Sequence, residues 1–334
     1  MTMPATFRAF RIHNDAAGYR SGIETVSLDD LNPGEVVVKT AYSSVNYKDA
    51  LAGTGKGKIL RRFPLVGGID VAGHVVASTD SAFREGDAVL VTGSGLSETR
   101  DGGYSEYARL DARWVIPLPA GLSLREAMIL GTAGFTAALG LLRMTENRQT
   151  SALGPLAVTG ATGGVGSLAV AIFSKAGFDV HAISGKPEHA DYLKSLGASE
   201  VLGREALATT APMASARFGG GLDNVGGPML AALLAQTAPY GNVASCGLAA
   251  SPELHATVMP FIIRGVSLLG VASAGTARDI RDEVWRRLAG DWKPDNLGAI
   301  CTREASLEEL PPVFEGMLAG GALGRTLVRI QPVS

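Results

Sequence analysis

Residues 156–177 read LAVTGATGGVGSLAVAIFSKAG, an apolar run that breaks on a cluster of glycines and resumes as an apolar helix pattern. Glycines between a strand and a helix permit a tight turn, close approach of backbone to a pyrophosphate, and close packing of helix on sheet. The start of the helix then offers unpaired N–H groups and a partial positive charge to phosphate. Thr162, Gly163, Gly164 and Val165 are the candidate phosphate-facing residues. A strict G-x-G-x-x-G is absent, because Ala161 stands where its first glycine would fall. Context carries the assignment instead: a second strand–helix unit, DVHAISG then PEHADYLKSLG, follows directly.

That alternation continues with strands expected at 199–202, 222–225, 242–246 and 266–271. It predicts an α/β fold built on a doubly wound parallel sheet. The first third differs. Strand patterns at 35–45, 70–79, 87–93 and 105–119, without helical patterns between them, predict a second, β-rich, barrel-like domain. Ser123 and Glu126 open a helix over 123–146 with a capping box. The C-terminal stretch reads as a helix at 277–289, a strand near 298–302, a helix near 307–319 and a strand at 326–330. The expected domains are therefore 1–124 plus about 272–334, β-rich, and 125–271, dinucleotide-binding.

The end of the second strand of the sheet selects the dinucleotide. A site for NAD places Asp or Glu there to accept from the ribose 2′-OH. Here the chain reads Ser184-Gly185-Lys186, with no acid before Glu188, and Arg204 follows the third strand. A hydroxyl and two cations suit a 2′-phosphate that a carboxylate would repel. The residue reading is NADPH; the alternative is that Lys186 and Arg204 are solvated surface charges.

Composition excludes several function classes. Net charge is −2 and aromatic residues are 6% of the chain, so neither a field nor a stacking platform for nucleic acid is expected. No apolar run of the length of a membrane span is apparent, and the first residues lack the apolar core of a signal peptide. Cys246 and Cys301 are the two cysteines, too few for a disulfide framework, and the cytoplasm is the expected compartment.

GTAGFTA (131–137), TGATGGVG (159–166) and the returning C-terminal segment resemble the medium-chain dehydrogenase/reductase superfamily. SSVNYKDALAGTGKGKILRRFPLVGGIDVAG (43–73) resembles its YhdH-type branch of acryloyl-CoA reductases and proteins called quinone oxidoreductases. DYLKSLGAS (191–199), ASCGLA (244–249), VMPFIIRGVSLLGV (258–271) and GRTLV (324–328) extend the likeness over the whole chain. The resemblance implies a Rossmann domain joined to a GroES-like domain, and adds Thr132 and Leu248 as candidate cofactor-binding residues. It also implies a homodimer, with 266–271 as an edge strand that pairs with its copy.

Zinc-dependent relatives carry a cysteine and a histidine in segments that here read Val45-Asn46-Tyr47-Lys48-Asp49 and Gly68-Ile69-Asp70. Asn46 and Ile69 cannot build a tetrahedral N/S site, and no metal is expected. His13, His74, His181, His189 and His255 are scattered along the chain. Without a Lewis acid, hydride addition to a polarised alkene is the chemistry within reach, with Tyr47 the side chain expected beside the nicotinamide, at the cleft between the domains. The open alternative is a packed tyrosine bonded to backbone. Lys56, Lys58, Arg61 and Arg62 fall within seven residues and read either as a cradle for the phosphates of coenzyme A or as a solvated basic loop. Three functions stay open: an NADPH-dependent acryloyl-CoA reductase, a quinone or free-enone reductase, and a non-catalytic dinucleotide-binding or RNA-associated protein.

Overall fold

The computed structural model describes residues 3–330. In chain order the elements are β1 (Phe7–Asp15), β2 (Gly18–Val26), β3 (Val36–Val45), α1 (Tyr47–Thr54), β4 (Leu65–Val66), β5 (Asp70–Ser78), β6 (Ala88–Thr92), β7 (Tyr107–Leu110), β8 (Ile116–Pro117) and α2 (Leu124–Glu146). There follow β9 (Leu156–Thr159), α3 (Gly164–Lys175), β10 (Val180–Ile183), α4 (Ala190–Ser195), β11 (Glu200–Leu202), β12 (Phe218–Asp223), α5 (Gly227–Ala235), β13 (Thr237–Ser245), α6 (Met259–Arg264) and β14 (Ser267–Gly270). The last are α7 (Arg278–Ala289), α8 (Leu297–Ile300), β15 (Cys301–Ala305), α9 (Leu310–Leu318) and β16 (Arg325–Arg329).

Two compact units result. One takes the chain up to Thr132, Ala274–Asp282 and the chain from Cys301; the other takes Ala133–Ser273 and Glu283–Ile300. In the first, β3 is central to a largely antiparallel sheet in the order β15-β16-β3-β5-β6-β8, with β7 also on β3. A smaller sheet, β2-β1-β4, lies beside a core of Phe10, Leu65, Tyr104 and Phe314. The hairpin β1–β2 was not expected from the sequence. Its charged residues Arg8, Arg11, His13 and Glu24 mask the apolar alternation of Phe10 and Ile12.

The second unit holds a six-stranded, wholly parallel sheet in the order β11-β10-β9-β12-β13-β14. Numbered from its own first strand this is 3-2-1-4-5-6, the doubly wound arrangement whose order reverses between β9 and β12. The expected strand at 222–225 forms earlier, as β12, through three glycines that carry no strand signal. The expected strand 105–119 is broken by a turn at Ala112–Trp114, capped by Asp111. The strand expected near 298–302 begins only at Cys301, behind α8.

Helix α2 starts as its capping box requires: Ser123 N donates to Glu126 Oε2 at 2.9 Å and Glu126 N donates to Ser123 Oγ at 3.2 Å. It is long and apolar enough to cross a membrane, but it is bent at Gly131 (φ 50°, ψ −156°) and mostly buried. The division between units falls just past this bend, so 125–132 go with the β-rich unit rather than with the sheet. Residues 283–300, expected in the β-rich part, pack with the second unit, where Trp285 stacks on Phe135 with ring centroids 6.2 Å apart.

Candidate active site and cofactor cradle

The glycine turn sits at the carboxyl end of β9, at the point where strand order reverses. There Gly160 has φ 60° and α3 begins at Gly164, with Gly163 as its N-cap. A Cβ on Gly166 would lie 2.3 Å from the Gly160 carbonyl oxygen, so only glycine lets this helix meet its strand. Thr162 is buried in the turn, and Gly163, Gly164 and Val165 are half-buried at the helix start. The neighbouring strand end is locked on: Thr159 Oγ1 donates to Asp223 Oδ1 at 2.8 Å, and Asn224 Nδ2 donates to the Thr159 carbonyl at 2.7 Å. Burial pushes the Asp223 carboxyl up, and burial with Asp223 nearby pushes the Cys246 thiol up to about 12. Cys246 is thus a neutral lining residue rather than a nucleophile. With Gly226, Ser251 and the exposed Leu248 it lines an open cavity of about 310 Å³ beyond the ends of β12 and β13.

Ser184, Lys186 and Arg204, read as dinucleotide selectors, lie around Gly185. Ser184 is buried at the end of β10, and its Oγ accepts the Lys186 N–H at 3.0 Å. The Arg204 guanidinium crosses Gly185 so closely that a Cβ there would lie 2.4 Å from Nε. Arg204 is exposed and Lys186 half-buried, and the first acid after β10 is Glu188.

In the β-rich unit, Tyr47 is the first residue of α1 and 55% exposed. Asn46 caps that helix, and Asp49 completes the capping box, its Oδ2 accepting the Asn46 N–H at 2.9 Å and its Oδ1 the Ile69 N–H at 2.9 Å. Behind the cap lies a buried polar cluster that sequence reading did not single out. Asp70 accepts from Thr132 Oγ1 at 2.6 Å, Ser44 Oγ at 2.6 Å and Asn46 Nδ2 at 2.7 Å. Arg325, from β16, donates to Asn46 Oδ1 at 3.1 Å, the Val45 carbonyl at 2.9 Å and Ser44 Oγ at 2.6 Å, and stands 3.8 Å from Asp70. Burial, then the charge of Asp70, pushes Asp49 up to about 7. Burial likewise holds Tyr104 well above its ordinary value and lowers Arg325. The only advance signal was an acid opening an apolar strand. Thr132, a candidate for the cofactor, has its hydroxyl hydrogen committed to Asp70.

Lys56, Lys58, Arg61 and Arg62 lie on the loop after α1, and Arg61 is exposed. Arg61 is paired with Glu98 at 3.1 Å, and Lys48 reaches the same carboxylate at 3.2 Å. The acid missing from the local sequence therefore arrives from another loop.

A family model for an alcohol dehydrogenase GroES-like domain matches residues 32–120, and one described as a zinc-binding dehydrogenase matches 164–290. YhfP of Bacillus subtilis, whose given name proposes a quinone oxidoreductase, is 47% identical over 98% of this chain and 100% of its own. Acrylyl-CoA reductase AcuI of Ruegeria pomeroyi is 44% identical over 93% of this chain and 94% of its own. The chain belongs to the YhdH-type branch of the medium-chain dehydrogenases/reductases. A crystal structure of the YhdH oxidoreductase from Salmonella enterica in complex with NADP superposes with a TM-score of 0.94 at 44% identity, covering 97% of this chain and 100% of that one. YhfP was solved with NAD bound, at a TM-score of 0.94 and 46% identity over 98% of this chain and 100% of that one.

The zinc in one family description does not suit this branch member's residues. Where a thiolate would ligate, the Asn46 amide is bonded at both ends, to Asp70 and to Arg325. Ile69 offers no donor atom, and among the described residues no group of three or more His, Cys, Asp or Glu side chains is gathered.

Proposed function

We propose that this chain is an NADPH-dependent reductase of the alkene in a small α,β-unsaturated acyl-CoA, converting acryloyl-CoA to propanoyl-CoA. The observation that carries the reading is the likeness to AcuI over nearly the whole chain, in a protein whose residues at the zinc position form a closed polar cluster instead. NADPH, when bound, supplies the hydride that adds to the β carbon of the thioester. The turn at Thr162, Gly163, Gly164 and Val165 holds the pyrophosphate with backbone N–H groups. Ser184, Gly185, Lys186 and Arg204 receive the 2′-phosphate, which favours NADPH over NADH despite the NAD seen in YhfP. Thr132 and Leu248 are the further cofactor-binding residues we assign, one in each unit. Tyr47 is the donor we assign to the thioester oxygen as enolate charge develops, and it or a water delivers the proton to the α carbon. Lys56 and Arg62, with Arg61 partly spent on Glu98, are the cations we assign to coenzyme A phosphates. Both cysteines are unpaired, in keeping with the reducing cytoplasm we assign.

The second reading, a quinone reductase, is favoured by the name of YhfP and needs no coenzyme A contact. Following NADPH oxidation with acryloyl-CoA, crotonyl-CoA, acryloyl-pantetheine and 1,4-benzoquinone separates the two. Acryloyl-CoA is expected to be the best acceptor, with the pantetheine ester weakened chiefly in KM. A quinone reduced as efficiently as acryloyl-CoA would displace the first reading.

A further inference from the structure

The buried cluster behind α1 is built more elaborately than capping a two-turn helix demands. Asp70 and Arg325 are both almost wholly buried, and between them they grip the Asn46 amide by its N–H and by its oxygen. Ser44 is held the same way, donating to Asp70 and accepting from Arg325. Arg325 also donates to the Ile129 carbonyl at 3.0 Å, and Asp70 accepts the Thr132 N–H at 3.0 Å. The end of β3, the start of β5, the bend in α2 and strand β16 thus meet at one pair of charges. Gly131 records how tight the junction is: a Cβ there would stand 2.7 Å from Asp70 Oδ2 and 2.8 Å from Ser44 Oγ.

A buried ion pair is a weak source of stability, because well-packed apolar residues of the same volume often do as well. What it adds is direction. Bonds in fixed planes allow one placement of Asn46, and Tyr47 is the next residue. We infer that Asp70 and Arg325 are positioning residues for the reaction, together fixing the Asn46–Tyr47 turn. This rests on the part proposed for Tyr47 as donor to the developing enolate. A reacting group displaced by about 1 Å can lose on the order of 10²-fold in rate.

The test uses Arg325→Lys, which keeps the charge but not the fork, and Ser44→Ala, the milder change should the first not fold. Each is assayed with NADPH and acryloyl-CoA, and with 1,4-benzoquinone, alone and combined with Tyr47→Phe. Hydrogen exchange is followed at the amides of residues 49–52. The expected result is a fall in kcat of about tenfold for Arg325→Lys and several-fold for Ser44→Ala, with KM for NADPH within about threefold. Exchange quickens in the first turns of α1, and little further activity is lost once Tyr47 is already Phe. Unchanged exchange in a folded variant would overturn the inference, as would kcat losses that add in full to that of Tyr47→Phe. If Tyr47→Phe alone costs nothing, the role of Tyr47 fails instead, and a kcat fall in Arg325→Lys then refutes its action through that residue. If neither acceptor is reduced by the wild type, the reductase reading fails and the exchange measurement alone decides whether the pair holds the turn.

Discussion

Asp49 is a carboxyl group with three donors aimed at it, shut away from solvent. Its folded-state pKa of about 7 lies above the ordinary carboxylate value of about 4, because burial and the neighbouring charge of Asp70 outweigh the bonds from Asn46 and Ile69. Between those two values the folded chain holds a proton that the unfolded chain has released. Stability from this group is therefore complete at low pH, falls as pH climbs from about 4 to about 7, and is level above. Urea unfolding of wild type and Asp49→Asn from pH 4.5 to 8.5 should show wild type losing ground to the variant over that window only. A difference that does not vary with pH would reject the assignment. Two further residues have direct kinetic tests. Lys186→Ala should cost about 1.5–3 kcal/mol in kcat/KM with NADPH and much less with NADH. Tyr47→Phe should lower kcat by roughly 10²-fold if the phenol stabilises the enolate or supplies a proton, and should raise mainly the KM for NADPH if it only orients the cofactor.

Elements were legible where their own residues set them. The β9 turn, α3 and β10 announce themselves through apolar runs and glycine spacing, and Ser184, Lys186 and Arg204 could be gathered because they follow adjacent strands of a parallel sheet. The Gly219–Gly221 stretch of β12 and the charged hairpin β1–β2 carry no such local signal, since their neighbours rather than their own side chains make them strands. Asp70 and Arg325 were invisible as a pair for a related reason: they come from opposite ends of the chain, and only antiparallel pairing of β16 and β5 with β3 brings them together. The bend in α2 shows how an element answers to that junction. Gly131 has a positive φ and no room for a Cβ, so Gly131→Ala should lower stability by at least about 1–3 kcal/mol from the backbone alone. Gly316, in α9, is the control, because a Cβ added there would meet nothing within 4 Å. Gly316→Ala should be neutral or stabilise by about 0.5–1 kcal/mol. Comparable melting temperatures for the two variants would contradict this account of the bend.

At the scale of the whole molecule, the unfinished feature is the last strand of the parallel sheet. Among the described residues β14 is bonded on one side only, to β13, and Leu268 on it is exposed. Helix α6, which precedes it, adds Met259, Ile262 and Ile263, the last two 75% and 58% exposed, while Val258 and Tyr240 are exposed in the same unit. Bare strand edges and contiguous apolar surface are both features that soluble proteins cover. A second copy of the chain supplies both covers at once, because two identical edges related by a twofold axis can pair antiparallel and meet the same residues in return. The expected species is a homodimer, and light scattering at micromolar concentration should return the mass of two chains. Leu268→Lys sets a charge on the edge where its copy would lie, and should shift the population towards a single chain without unfolding it. A single-chain mass for the wild type, or a Leu268→Lys variant as dimeric as the parent, would leave β14 an ordinary edge.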